Sequence, residues 1–112
     1  MSCLFCRIIA GEIPGRKVFE DERIYAIEDI KPGAPTHLLL LPKKHLSGLD
    51  EAQAEDAELL GALQLRAAAL ARELGLSQGY RTVLNVGPDA GQSVFHLHLH
   101  LLGGRAMAWP PG

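Results

Sequence analysis

Three histidines fall within five residues, His96, His98 and His100, in the run Val-Phe-His-Leu-His-Leu-His-Leu-Leu over 94–102. If that run is a strand, the three imidazoles share one face, and Phe95, Leu97, Leu99 and Leu101 share the other. At about 3.3 Å per residue, neighbouring rings would stand about 6–7 Å apart and the outer two about 13 Å apart. Packing alone would favour valine or threonine there, because each partly buried imidazole needs hydrogen-bond partners. A single zinc ion could not gather three ligands spread that far along a straight strand. Chemistry on a phosphate suits them better. A neutral central imidazole can attack phosphorus while its neighbours hold the phosphoryl oxygens and the leaving group. No Asp/Glu cluster fit for Mg²⁺ lies nearby, so positive charge must come from histidine and backbone N–H groups. The preceding glycine-rich 87–93 stretch is a fair anion cradle. The pair Cys3-x-x-Cys6 has the spacing of a metal half-site or a redox motif. The redox reading is weak, since the pair does not follow a strand in a βαβ unit, and simple packing of two thiols stays open.

The chain that must position these groups has 112 residues, room for one domain spanning 1–112. With 11 basic and 13 acidic residues the net charge is −2, which weighs against a nucleic-acid binder working by phosphate neutralisation. The longest apolar runs, 38–41 and 67–71, fall far short of the roughly 20 residues of a membrane span. Cys3, Cys6 and Arg7 interrupt any signal-peptide core, so the expected compartment is the cytoplasm. A short helix is expected over 3–10, capped by Ser2 and ended by Gly11. A hairpin follows, Lys17–Glu20 and 23–29 around Asp21-Glu22, then a strand over 36–41. The long helix should start at Asp50, with Gln53 completing a capping box, and end at Gly75. Its buried stripe would be Leu60, Leu63, Ala67, Leu70 and Leu74, with Ala62, Ala68 and Ala69 forming a small-residue face. Strands over 80–86 and 94–102 complete an α+β domain: a five-stranded, largely antiparallel sheet with one long and one short helix, both on one side.

The run His96-Leu-His98-Leu-His100-Leu-Leu matches the histidine-triad motif, and the chain resembles histidine triad nucleotide-binding proteins of the phosphoramidase branch. The likeness runs from about Leu4 to the C-terminus. It includes Asp29-Ile30, Pro35-Thr36-His37, Pro42-Lys43-Lys44-His45, Gly91-Gln92-Ser93 and the ending Trp109-Pro110-Pro111-Gly112. The ending separates this branch from dinucleoside-polyphosphate hydrolases and His-Pro-His transferases.

The resemblance implies that His98 is the nucleophile and forms a nucleotidyl intermediate, with His100, His96, His37 and Ser93 in the catalytic group. His37 corresponds to a distal histidine that supports the triad. Asn85, Gly91, Gln92 and Ser93 would line the phosphate and leaving-group side. Asp29 would hold the ribose hydroxyls, and Leu4, Phe5, Ile8, Ile27, Ile30 and Leu39 would enclose a purine base. Related bacterial members pair such cysteines with two histidines, which implies a structural zinc held by Cys3, Cys6, His45 and His96, with no catalytic metal. The implied activity is cleavage of the P–N bond of purine nucleoside 5′-phosphoramidates. Hydrolysis of dinucleoside polyphosphates or adenylated metabolites, and a nucleotide-binding module with little turnover, are the alternatives. A homodimer joining two sheets into a ten-stranded one is implied as well, without nucleic-acid or membrane partners.

Overall fold

The structure, a computed structural model, describes residues 3–112. Seven elements follow one another: α1 (Leu4–Ile9), β1 (Lys17–Glu20), β2 (Ile24–Glu28), β3 (Thr36–Pro42), α2 (Ala57–Glu73), β4 (Tyr80–Val83) and β5 (Leu99–Gly103). The five strands form one antiparallel sheet in the order β1-β2-β3-β5-β4. No helix among the described residues is long and apolar enough to cross a membrane.

The β1–β2 hairpin forms where Asp21 breaks the strand pattern. Its Oδ1 accepts the backbone N–H groups of Arg23 and Ile24, both at 2.8 Å, which closes the turn. In β3 four consecutive leucines, Leu38 to Leu41, are all buried, so both faces of the sheet are covered at its centre. Leu38 and Leu40 join Ile24, Ala26, Leu99 and Leu101 under Leu63, Ala67, Leu70 and Ala71 of α2. Leu39 and Leu41 join Ile27 on the opposite face, under Phe5 and Ile8 of α1. The expectation of both helices on one side is therefore wrong. An unbroken apolar strand needs a layer on each face, and α1 supplies the second.

The long helix also starts later than its sequence suggests. Residues Leu49–Glu51 and Ala54–Asp56 make separate 3₁₀ turns before α2 begins at Ala57. The capping pair is Gln53 and Asp56, not Asp50 and Gln53: the Gln53 N–H donates to Asp56 Oδ2 at 2.9 Å. Asp56 Oδ1 also accepts from Lys44 Nζ at 2.6 Å. The Gln53 amide, and after it Lys44, hold the buried Asp56 carboxyl below its usual range. Leu59, Leu63, Ala67, Leu70 and Ala71 form the buried stripe. Leu60 is half-buried against the core, and Leu74, past the helix end, is exposed. The expected cap Ser2 lies outside the described residues, and Cys3 occupies the N-cap of α1.

Candidate functional site

The histidine run is not one straight strand. β4 stops at Val83 and β5 begins only at Leu99, because Gly87 and Gly91 adopt left-handed backbone (φ 85° and 90°) and turn the chain away from the ladder. The Leu97 N–H then donates to the Leu46 carbonyl, outside the sheet. The expected strand over 94–102 is therefore shortened to its second half. Phe95, expected to share the face of Leu97, Leu99 and Leu101, is half exposed where those leucines are buried. The alternation itself holds: Leu97, Leu99 and Leu101 pack on the α2 side, while His96 and His98 both meet Phe5 of α1 edge-on, and the His96 ring, with no exposed surface, reaches Cys3, Cys6 and His45.

Main-chain groups fix the ring protons, since a carbonyl oxygen only accepts and an amide N–H only donates. His98 Nδ1–H donates to the His96 carbonyl at 2.7 Å, which leaves the Nε2 lone pair free. His37 Nδ1 accepts the Gly33 N–H at 2.9 Å, so the proton of the neutral ring sits on Nε2. That Nε2 lies 2.9 Å from His100 Nδ1 and 3.4 Å from Asp29 Oδ2. His100 Nδ1 therefore accepts, and its own proton sits on Nε2. Burial pushes the pKa of His37 down, opposed by Asp29. Burial, and then the neighbouring His98 and His37, push His100 down to about 4. Both shifts favour the neutral rings, the forms in which this proton pattern holds.

His98 and His100 border a cavity of about 410 Å³, a size that suits a mononucleotide. Leu4, Phe5 and Ile8 of α1 form one wall, with Ile27 and Leu39 of the sheet facing them. Asp29, Ile30, Asn85, Gly91 and Ser93 line it as well. The Phe5 ring meets His98 edge-on, with centroids 5.1 Å apart. Asp29 is braced by the Lys31 N–H on Oδ1 at 2.8 Å and keeps lone pairs for a ligand. Ile13, Pro14, Gly15, Glu28, Lys31 and Val94 also line the cavity and were not anticipated as site residues. Ile13-Pro14-Gly15 follows α1 directly, and a helix that walls a cavity must be entered and left beside it; that was the available signal. His37 stands behind His100, outside the lining. A larger hollow of about 590 Å³, between β4 and residues 104–107, is lined by no histidine, cysteine or acidic residue and has no such chemistry.

Gln92 does not face the cavity. Its buried side chain accepts the Gly87 N–H on Oε1 at 2.8 Å and donates through Nε2 to the Ser47 and Val94 carbonyls at 2.7 and 3.1 Å. It braces the glycine loop from behind, and Gly91 and Ser93 are what that loop presents.

Two groups among the described residues have metal-ligand spacing. In the first, His96 Nδ1 lies 3.3 Å from Cys3 Sγ, 3.5 Å from Cys6 Sγ and 3.1 Å from His45 Nδ1; Cys6 Sγ is 3.4 Å from His45 Nδ1. A tetrahedral zinc with ordinary Zn–N and Zn–S bonds separates its ligand atoms by about 3.3–3.8 Å. His96 Nε2–H donates to the Pro42 carbonyl at 2.8 Å, which leaves Nδ1 as the lone pair aimed at the cluster. Donor set, spacing and tautomer all fit zinc. The second group, Asp29, His37 and His100, does not fit. The Gly33 amide occupies His37 Nδ1, so Nε2 carries a proton where a cation would need a lone pair.

A nucleophile-ready imidazole at a base-sized apolar cavity, beside a glycine loop and a relay of further histidines, defines a histidine-triad site. Residues 2–108 match the family described as "Scavenger mRNA decapping enzyme C-term binding". The chain is 47% identical over 111 residues to a protein of Arabidopsis thaliana named adenylylsulfatase HINT1, covering 97% of this chain and 76% of that one. It is 50% identical to a Zea mays protein named 14 kDa zinc-binding protein, over 97% of this chain and 87% of that one. A solved HIT family hydrolase from Legionella pneumophila superposes with a TM-score of 0.97 at 55% identity, covering 99% of this chain and all of the other. The protein belongs to the histidine triad (HIT) family.

Proposed function

We propose that this protein is a nucleotide hydrolase that cleaves the P–N bond of purine nucleoside 5′-phosphoramidates through a nucleotidyl intermediate on His98. The observation that carries the reading is the His98 Nε2 lone pair, freed by the His96 carbonyl, at the edge of the 410 Å³ cavity. In this reading the base lies between α1 and the Ile27–Leu39 surface, and the ribose hydroxyls donate to Asp29. The α-phosphate sits among His98, His100, Gly91, Ser93 and Asn85. His98 Nε2 forms a bond to phosphorus as the P–N bond breaks, and the departing nitrogen takes a proton from water at the exposed Ser93 side. His100 Nε2–H donates to a phosphoryl oxygen throughout. Water then attacks phosphorus and gives up a proton that neutralises the hydroxide left by the first step. The His98 Nε2–phosphorus bond breaks with its electron pair returning to Nε2, and the nucleoside monophosphate leaves.

A second reading, release of sulfate from adenylyl sulfate, is favoured by the name of the Arabidopsis relative. It needs the same nucleophile and a different leaving group. A kcat/KM panel separates the possibilities. Adenosine 5′-phosphoramidate is expected to exceed adenylyl sulfate and diadenosine tetraphosphate by at least about tenfold each. A faster reaction with either competitor would reassign the leaving group.

The zinc assignment belongs to this proposal. Cys3, Cys6, His45 and His96 would hold the ion, which when bound supplies a structural crosslink between α1 and the sheet. None of the four residues lines the cavity, and no chemical step needs the ion.

The proposed assembly is a homodimer. β4 is a sheet edge, Trp109 is exposed, and Arg81 on β4 donates to the Ala108 carbonyl at 2.8 Å, laying the tail along that edge. An edge strand and an exposed tryptophan are suitable surfaces for a second copy, whose tail would then approach the leaving-group side. Light scattering at micromolar concentration should give twice the 12.1 kDa chain mass, and a monomer mass would sink the dimer.

A further inference from the structure

We propose that the main-chain amide of Gly33 is a positioning group for the reaction. By donating to His37 Nδ1 it sets the direction of the His37–His100 hydrogen bond, and so makes His100 a donor toward the substrate phosphate. The inference rests on the phosphoramidase reading for its catalytic consequence, but not for its structural content.

The 2.9 Å contact between His37 Nε2 and His100 Nδ1 can be made in two ways. If His37 donates, His100 keeps its proton on Nε2 and offers it to the cavity. If His100 donates from Nδ1, its Nε2 becomes a lone pair beside that of His98. Two lone pairs would then face a phosphoryl oxygen, and the site would repel the anion it must hold. Heavy-atom positions are the same in both cases, and the choice falls to what lies on the far side of His37. There the Gly33 N–H, at 2.9 Å from Nδ1, permits only an acceptor. Asp29 Oδ2, 3.4 Å from His37 Nε2 and itself held through Oδ1 by the Lys31 amide, reinforces the same sense, because a carboxylate only accepts.

The turn is built to keep that amide in place. Gly33 lies in Pro32-Gly33-Ala34-Pro35, where both prolines lack an N–H, so Gly33 and Ala34 hold the turn's main-chain donors. Arg105, far along the chain, donates through Nη2 to the Gly33 carbonyl at 2.8 Å and anchors the turn from its other side. The glycine itself is not required for space. A Cβ at position 33 would meet its nearest neighbours, His37 Nδ1 and a Leu102 methyl, at 3.8 Å, an ordinary contact.

That spacing provides the test. Imidazole ¹⁵N spectra of the substrate-free protein at pH 7 should show His37 and His100 each protonated on Nε2 and bare on Nδ1. A scalar coupling across the hydrogen bond should connect the Gly33 amide nitrogen to His37 Nδ1. Gly33→Pro removes the N–H and should shift His37 and His100 toward the opposite tautomers. Its kcat on adenosine 5′-phosphoramidate should fall by about 10- to 100-fold while KM moves by less than about threefold. Gly33→Ala, which keeps the amide, should restore both the tautomers and kcat. A wild-type spectrum with His37 protonated on Nδ1, or without the cross-bond coupling, overturns the proposal even if Gly33→Pro fails to fold. A folded Gly33→Pro with wild-type tautomers overturns it equally. Should the tautomers follow expectation while the phosphoramidate is not cleaved, the proton pattern stands and the reaction assignment fails.

Discussion

Replacing His98 by alanine is expected to lower kcat by about four orders of magnitude or more, while nucleoside monophosphate binding weakens by less than about tenfold. The asymmetry follows from where the contacts lie. In the proposed mechanism His98 contributes one lone pair to the chemical step, whereas the base and ribose would be held by other residues of the cavity, Leu4, Phe5, Ile8, Ile27, Leu39 and Asp29. Without the nucleophile, water would have to attack the phosphoramidate directly, with only His100 and the glycine loop to stabilise the transition state. Rapid quench of the wild-type protein, followed by peptide mass spectrometry, should place the nucleotidyl group on His98. Substantial turnover by His98→Ala would refute covalent catalysis at this residue.

The double variant Cys3→Ser with Cys6→Ser is expected to lose zinc and to melt about 10 °C lower or more, with a larger rise in KM than fall in kcat. α1 has six residues, too few for a helix to persist unaided, and it stays on the sheet through Phe5, Ile8 and the Cys/His cluster. Without the crosslink, His96, fully buried, would keep a ring nitrogen with no strong partner. The same helix carries the base wall, so loosening it harms nucleotide binding before it harms the phosphate chemistry. Inductively coupled plasma mass spectrometry on protein purified without a His-tag should find near one zinc per chain. Less than about 0.2 per chain, or an unchanged Tm in the double variant, would return the cysteines to simple packing.

Much of this was legible in the residues, and the exceptions share a cause. Alternation in Ile24–Glu28 gives the two faces of β2 correctly, because a strand's period is a local property. Alternation in 94–102 assigns the leucines and the histidines to opposite faces correctly but overstates the strand, because apolar and polar residues can alternate through a bend as well as along a ladder. Two glycines with left-handed backbone and one hydrogen bond to Leu46 take the residues before Leu99 out of the ladder, and only tertiary structure supplies that partner. The four leucines of β3 already demanded cover on both faces, yet a short cysteine-bearing helix does not advertise which face it will take. Gln92 is misread for a related reason. A polar residue inside a glycine loop suggests ligand binding, while its real partners, Ser47 and Val94, are a carbonyl far along the chain and one close by. The cavity-lining residues foreseen from the family resemblance do gather at one place, since a family motif encodes the tertiary arrangement that local pattern cannot.

Position 96 serves two neighbourhoods with different parts of itself: the ring faces the cysteines, and the carbonyl holds the nucleophile's proton. Every amino acid has that carbonyl. Over evolutionary time, therefore, the cysteines and the imidazole at 96 are free to drift together, and a descendant without that Cys/His cluster keeps a correctly protonated His98. The same separation gives protein engineers a place to rebuild the anchoring of α1, with a hydrophobic plug or a disulfide, and no need to redesign the reacting centre.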